Sequence, residues 1–430
     1  MYMRVFVNYL ILGVYFFIYI APAYIGELLL AYDKVFTQMF IVSLLNIFSF
    51  IYIYKNFNLK EYISNFEYKN HYLAYFLFVV ISTISLLVAE NLIEGVVTLL
   101  KILNLFVAFS FIVILSSFKN FKFFNYFLIV TLISLFIESV LINYRVFDSV
   151  IINGNLLVRS NAFSGFGANV NISSFSILIK TVVPIFLIFN YKNNFIRALS
   201  LFFIFSSFLS IFLLMSRAAV LSLFLVFISI FILVIISKRR IYYLKYSLII
   251  ITLMMSIFSY NVINEKNAYS ILSERFSNVT NPIVDESVNE RLNFYTTAIQ
   301  SIGDNPLLGI GIGNWKIKSI DLSKEIIISY RVPYFVHNDF LQYLAEIGII
   351  GGLCFMFYIF YPIFISFLRS LKSRSFNLDF MIFLIFVIYI VDSMLNFPIE
   401  RPTNYIYLCF TIALFYQSKK YLNKWKSWFC

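Results

Sequence analysis

Charge, cysteine and histidine are all scarce in this chain. Asp, Glu, Lys and Arg make up 13% of 430 residues, about half the share of a typical soluble domain. Only three cysteines occur. Cys354 and Cys409 fall in apolar segments and Cys430 lies at the end, which gives neither a disulfide framework nor a metal-ligand spacing. Asp-x-Asp, Glu-x-Asp and His-x-x-x-His pairs are absent. A catalytic divalent metal is therefore unsupported, and no cofactor is expected. No repeat at a solenoid period is visible, and the two halves lack the symmetry that transporters often show. The first apolar run has no clean small-residue cleavage site and reads as a retained helix rather than a signal peptide.

What the chain does have is apolar and aromatic mass. It is 61% hydrophobic, with 53 Phe and 31 Tyr. Runs near the ~20 residues needed to cross a bilayer recur along its length. The expected fold is an all-α integral membrane protein, because a β-barrel would show short alternating segments instead. Twelve helices are expected at roughly 5–25, 35–54, 71–89, 95–117, 123–142, 172–190, 198–215, 217–236, 241–260, 339–367, 379–396 and 403–417.

The formal charge of +12 does not describe a nucleic-acid surface. Most of the basic residues sit in short loops between apolar runs. Lys55, Lys60 and Lys69 share one loop, and Lys119 and Lys122 another. Lys192 with Arg197, Lys238 with Arg239 and Arg240, and Arg369 with Lys372 and Arg374 follow. The tail adds Lys419, Lys420, Lys424 and Lys426. In a twelve-helix alternation all of these fall on one side. The positive-inside rule makes that side cytoplasmic, with both termini inside. The opposite loops are acidic or mixed, with Glu27 and Asp33, then Glu90 and Glu94.

Two segments on the outer side are long, one at about 143–171 and one at 261–338. Loops of this length with Gly, Pro and aromatic residues are usually functional. The chain is thus expected to divide into helices 1–9 (1–260), an outer loop (261–338), and helices 10–12 with a basic tail (339–430).

Candidate chemistry clusters in and around that loop. His71 lies near the inner start of the third helix and reads as interfacial. His337 lies at the outer boundary, just before an apolar helix. The positive end of a helix dipole favours a neutral imidazole, which can accept a proton. An ordinary interfacial histidine explains the residue equally well. Arg217 opens the eighth helix, where an arginine close to hydrocarbon is costly. It suits a phosphate or diphosphate, or a snorkelling role. Arg291 begins a short helix expected to gather Leu292, Tyr295, Ile299 and Ile302 on one face. Local sequence alone favours a solvated charge there. The Gly309-Ile-Gly311-Ile-Gly313 run follows no βαβ strand and reads as a tight turn after Asn305-Pro306, not a dinucleotide site. Lys101, Lys180 and Glu138 fall within or near helices and are either functional or paired structural charges. The sequons at Asn171 and Asn278 read as chance matches.

At these residues the chain resembles the O-antigen ligase and Wzy-type O-antigen polymerase superfamily. Four pieces match in order. These are Ser-Arg-x-x-x-Leu at 216–221, the Arg291 helix with Asn-Pro-Leu-Leu-Gly-Ile-Gly, His-Asn-x-x-Leu-Gln-x-x-x-Glu-x-Gly at 337–348, and Asn-Phe-Pro-Ile-Glu-Arg-Pro at 396–402. The matched core spans about 200–415. The resemblance implies metal-independent, inverting transfer of a glycan from an undecaprenyl-diphosphate donor at the periplasmic face of the bacterial inner membrane. It implies His337 as the base on the acceptor hydroxyl and Arg217 and Arg291 as the clamp on the leaving diphosphate. Asn338, Glu346 and Arg401 are weaker substrate-binding candidates. The acceptor is lipid A-core for a ligase, a growing polysaccharide for a polymerase, or a protein hydroxyl, with a slight lean to the ligase. A lipid-linked glycan flippase or exporter is the competitor from another class, and it has no need of His337 as a base.

Overall fold

A computed structural model describes residues 2–21, 30–59, 62–63, 66–118, 121–155, 157, 160–167, 169–263, 286–322 and 334–425. Glu27, Lys60, Lys119, Lys426, Asn278 and most of the loop flanks lie outside the described residues, as do the side chains of Asp33, Lys419, Lys420 and Lys424. The described residues form helices and connecting turns, with no strand among them.

The long helices run α1 (Tyr2–Phe16), α2 (Leu30–Asn56), α3 (Lys69–Ile84), α4 (Leu92–Ser116), α5 (Phe123–Phe147), α6 (Val170–Asn190), α7 (Asn194–Leu214), α8 (Arg217–Ser237) and α9 (Arg240–Ile263). Two helices, α10 (Glu286–Asp304) and α11 (Trp315–Leu322), lie between α9 and the next long helix. The chain closes with α12 (Asp339–Ser373), α13 (Leu378–Leu395) and α14 (Pro402–Trp425). Each of the twelve expected helices has its counterpart. Among the described residues eleven are long and apolar enough to cross a membrane. The 24-residue α14 is outside that set; it ends in the basic tail.

Local chemistry sets the helix ends. Asn91, Asn169, Asn193, Asn338 and Asn377 each precede a helix and accept hydrogen bonds from its first free backbone N–H groups. Met215, Lys238 and Arg374 stop helices in the left-handed region. The turn at Met215 and Ser216 puts Arg217 at the first position of α8, at the end away from Lys238, Arg239 and Arg240.

Helix α6 is the centre of the bundle, with Ser173 through Phe189 buried without a break. A helix apolar all round needs protein on every side, and α5, α7, α8, α9 and α13 supply it. The outward faces carry exposed large apolar side chains such as Phe36, Met254 and Phe258, as expected where lipid is the solvent.

Three expectations change. His71 is 1% exposed rather than interfacial. Its ring stacks between Tyr358 and Tyr361. Its Nε2 donates to the Tyr358 carbonyl at 2.7 Å and its Nδ1 accepts from the Tyr416 hydroxyl at 2.6 Å. A carbonyl can only accept, which fixes that tautomer. The α10 face is rotated: Leu292 and Ile299 are exposed, while Ala298 is buried with Phe294, Tyr295 and Ile302 against Trp315, Val336 and Ala345. Ala298 and Ser301 are small enough to let α10 lie close to α12. The rotation turns Arg291 inward, half-buried. Finally, α12 bends at Gly348, whose φ of 76° is not helical.

Candidate active site

The bend in α12 is filled by the glycine turn. Ile310 N–H donates to the Ala345 carbonyl at 2.9 Å, and Ile349 N–H to the Pro306 carbonyl at 2.8 Å. A Cβ on Gly348 would stand 2.1 Å from the Leu307 oxygen, and one on Gly309 2.4 Å from the Ala345 oxygen. Both glycines have positive φ, so no other residue fits without moving backbone. Further along, Ile312 N–H donates to Ser85 Oγ at 3.1 Å and the Asn91 N–H to Asn314 Oδ1 at 2.7 Å. The turn is therefore a wedge joining the C-terminal end of α3, the start of α4 and the bend of α12. Glu346 belongs to the same wedge, since its Oε1 accepts from the Trp315 N–H at 3.1 Å.

This wedge fixes the start of α12 and the loop before it. Asn338 Oδ1 accepts from the N–H groups of Phe340 and Leu341 at 3.0 and 3.1 Å, so its carboxamide oxygen is committed to the helix cap. Val336 N–H donates to Gln342 Oε1 at 3.2 Å. Between these anchors His337 takes a φ of 61°. The left-handed region is uncommon but open to histidine, and it swings the ring out of the helix line.

The imidazole lies parallel to the Phe294 ring at 6.3 Å and edge-on to Phe397 at 5.0 Å. Its Nδ1 is buried and has no hydrogen-bond partner among the described residues. Burial first, and the nearby Arg291 charge second, push its pKa down to about 4. The ring is thus neutral at neutral pH. The Tyr295 hydroxyl lies 3.1 Å from the His337 carbonyl and 2.8 Å from the Met394 carbonyl, which ties α10 to the histidine loop and the end of α13.

His337 faces a cleft lined also by Asp392, Asn396, Phe397, Asn171 and Asn404. Asn396 Nδ2 donates to Asp392 Oδ1 at 2.6 Å. Arg291 acts electrostatically on both His337 and Asp392, so two sequence-predicted residues share one site. Arg217 is half-buried next to Ser216. The Ser216 hydroxyl lies 3.2 Å from Asn171 Oδ1, which places the start of α8 beside the same cleft. Arg401 holds its guanidinium 5.0 Å over the Phe397 ring.

The helix charges prove to be paired. Lys180 Nζ lies 2.6 Å from Glu138 Oε2 and 2.9 Å from Ser176 Oγ. Lys101 pairs with Glu400, which also accepts from the Tyr343 hydroxyl at 2.9 Å. Burial alone would raise the Glu400 pKa, but Lys101 and these hydrogen bonds outweigh it and hold it low. Among the described residues no three His, Cys, Asp or Glu side chains gather to hold a metal ion.

Sequence reasoning missed Asp392, Asn171 as a lining residue, Asn404 and Tyr295. An acidic residue inside the apolar run at 379–396 was the available signal for Asp392. Spacing placed Tyr295 on a helix face without giving it a role, and nothing in the spacing marks Asn171 or Asn404.

Residues 201–356 match the family model for O-antigen ligase. The matched segment runs from α7 through the bend of α12 and includes Arg217, Arg291, His337 and Glu346. The match supports a relation of this segment to the O-antigen ligase and Wzy superfamily. It is an all-α integral membrane protein with a segment similar to the O-antigen ligase family. No curated protein matches the chain.

Proposed function

We propose that the chain transfers a glycan from an undecaprenyl-diphosphate donor to an acceptor hydroxyl, with inversion, at the periplasmic face of the inner membrane. The observation that carries this reading is the neutral imidazole of His337, facing a cleft and acted on by the Arg291 charge, with a buried Nδ1 that has no hydrogen-bond partner among the described residues. A sugar hydroxyl is a weak nucleophile, and a neutral imidazole within reach can take its proton as the oxygen attacks. The bond from the anomeric carbon to the phosphate oxygen breaks on the opposite face. Negative charge then grows on the diphosphate, where preorganised guanidinium groups stabilise it.

In this assignment His337 is the base and Arg217 and Arg291 clamp the leaving group. Asn338 and Glu346 act by holding the histidine loop and the α12 bend, and Arg401 contacts the glycan. The acceptor is lipid A-core, as for an O-antigen ligase. The match to the O-antigen ligase family supports transfer of this general class. Extension of a repeat-unit chain is the second reading, because the same family reading covers it.

The test is product formation by purified protein in liposomes with an undecaprenyl-diphosphate-linked repeat unit, with and without lipid A-core. A single shift that requires lipid A-core supports the ligase, and a ladder from donor alone supports the polymerase. His337→Ala should lower the rate by about 10²–10⁴-fold. Donor movement across the vesicle with no product would refute the transferase reading.

A further inference from the structure

The end of the bundle opposite the His337 cleft is built around three aromatic rings. Phe189 lies in the last turn of α6, Tyr242 in the first turn of α9, and Phe376 between α12 and α13. Phe189 and Phe376 stack with centroids 4.2 Å apart and planes 10° from parallel. Tyr242 meets Phe189 edge-on at 5.2 Å. Hydrogen bonds lock the same junction. Asn190 Nδ2 donates to the Phe376 carbonyl at 2.7 Å, Phe376 N–H to the Tyr242 hydroxyl at 3.4 Å, and Lys245 Nζ to the Phe189 carbonyl at 2.7 Å. The α6–α7, α8–α9 and α12–α13 turns are thus held at one place.

These turns carry cations. Lys192, Lys238, Arg239, Arg240, Lys372 and Arg374 are all exposed, and each lies within four residues of one of the rings. Arg239 is held in place: its guanidinium sits 5.4 Å from the Tyr242 ring centroid and donates to the Tyr242 hydroxyl at 3.2 Å. Acids are missing from the same turns. No Asp or Glu occurs from 149 to 264. Along the chain from Phe376 the first acid is Asp379, which is buried and lies 3.6 Å from Arg369.

Position supplies a second argument. Helices α6, α8 and α13 each run from the cleft to this junction, with Asn171, Arg217 and Asp392 toward one end and Phe189, Lys238 and Phe376 at the other. They are 18 to 21 residues long, about 27–32 Å. That is the thickness of the hydrocarbon core of a bilayer. The junction therefore sits at headgroup depth in the leaflet opposite the cleft. Beside its cations the helices expose Phe195, Ile235, Ile241 and Leu244.

We propose that this junction is a binding site for an anionic phospholipid. The exposed basic side chains surround its phosphate, and its acyl chains lie along the apolar faces of α7, α8 and α9. A lipid seated there clamps three turns, among them the start of α13, whose far end carries Asp392 into the cleft. Basic loops attract an anionic membrane surface anywhere along one face. A site differs in holding a lipid through particular side chains. The proposal is independent of the glycosyl-transfer reading.

The experiment follows lipid retention by native mass spectrometry of the full chain in nonionic detergent. Phosphatidylglycerol and phosphatidylcholine with the same acyl chains are titrated separately. Wild type should hold phosphatidylglycerol at least about tenfold more tightly. Arg239→Gln/Arg374→Gln should lose at least about fivefold of that affinity. Arg239→Lys/Arg374→Lys should stay within about twofold of wild type, which separates lost charge from lost folding. Arg4→Gln/Lys55→Gln removes the same charge from exposed positions on α1 and α2, and should also stay within about twofold. Glycerol phosphate, which lacks acyl chains, should not displace the lipid at equal concentration. Equal affinity for the two lipids would overturn the site, and so would equal losses in the two glutamine pairs, which would leave only the general attraction of basic loops. Displacement by glycerol phosphate would overturn it as well, by making the ligand a soluble anion.

Discussion

The acid limb of the pH–rate profile is the sharpest consequence of where His337 sits. An exposed histidine has a pKa near 6.5, and here burial and then Arg291 push it down to about 4. The sign is direct: the base works as neutral imidazole, so activity is lost as pH falls through the pKa. At pH 5.5 a group at pKa 4 is about 97% neutral, and a group at 6.5 only about 9%. Lowering the pH from 7.5 to 5.5 should therefore cost the wild type a few per cent of kcat/KM through this group. An unperturbed histidine would cost it about tenfold. Arg291→Gln removes the second cause and leaves burial, the larger one. Its acid limb should rise by on the order of half a unit to one unit, on top of a lower overall rate. The assay is initial rate of glycan transfer in liposomes from pH 4 to 8 at subsaturating donor. A wild-type limb near 6.5 would show that the ring is solvated. A limb that Arg291→Gln leaves in place would show that the arginine does not act on the histidine.

Three further outcomes follow from contacts elsewhere. Gly348→Ala forces a Cβ to within 2.1 Å of the Leu307 oxygen at a φ of 76°, and should destabilise by at least about 2 kcal/mol, seen as a lower Tm in detergent. Glu138→Gln strands the buried Lys180 ammonium and should cost about 3–5 kcal/mol, with Glu138→Gln/Lys180→Met recovering much of the loss in the same melt. Tyr295→Phe removes the hydroxyl near the His337 and Met394 carbonyls; kcat should fall about tenfold with little change in donor binding, measured by titration of a labelled donor.

Most of the helices were legible because a bilayer imposes one rule on every segment. A run of apolar residues must be helical there. The α10 face was not legible, because its side against α12 is built around the small residues Ala298 and Ser301 while Leu292 and Ile299 stay exposed. Counting large apolar residues places Tyr295 and Ile302 correctly but offsets the face toward Leu292 and Ile299. The pairing of Lys101 with Glu400 was equally hidden, since 299 positions separate the partners. His337 was found through its motif, yet its low pKa comes from burial and from Arg291 on α10. Only the rotation of that helix brings the arginine inward. Asp392 is the avoidable omission, because an acid within an apolar run is a functional candidate on its own.

The backbone at His337 ties the base to the clamp. A φ of 61° outside glycine costs on the order of 1 kcal/mol, so the ring stays where it is only while its surroundings hold it. Those holds come from different elements: Asn338 and Gln342 from the start of α12, and Tyr295 from α10. Arg291 sits one turn before Tyr295 on the same helix. Any shift of α10 that moves the arginine must therefore also pull on the histidine carbonyl. In the proposed reaction, a donor diphosphate that draws Arg291 toward itself would reset the position of the base at the same moment. Base and clamp would then respond to the donor as one unit, and substitutions at Tyr295 and Arg291 should be non-additive in a double-mutant cycle on kcat/KM.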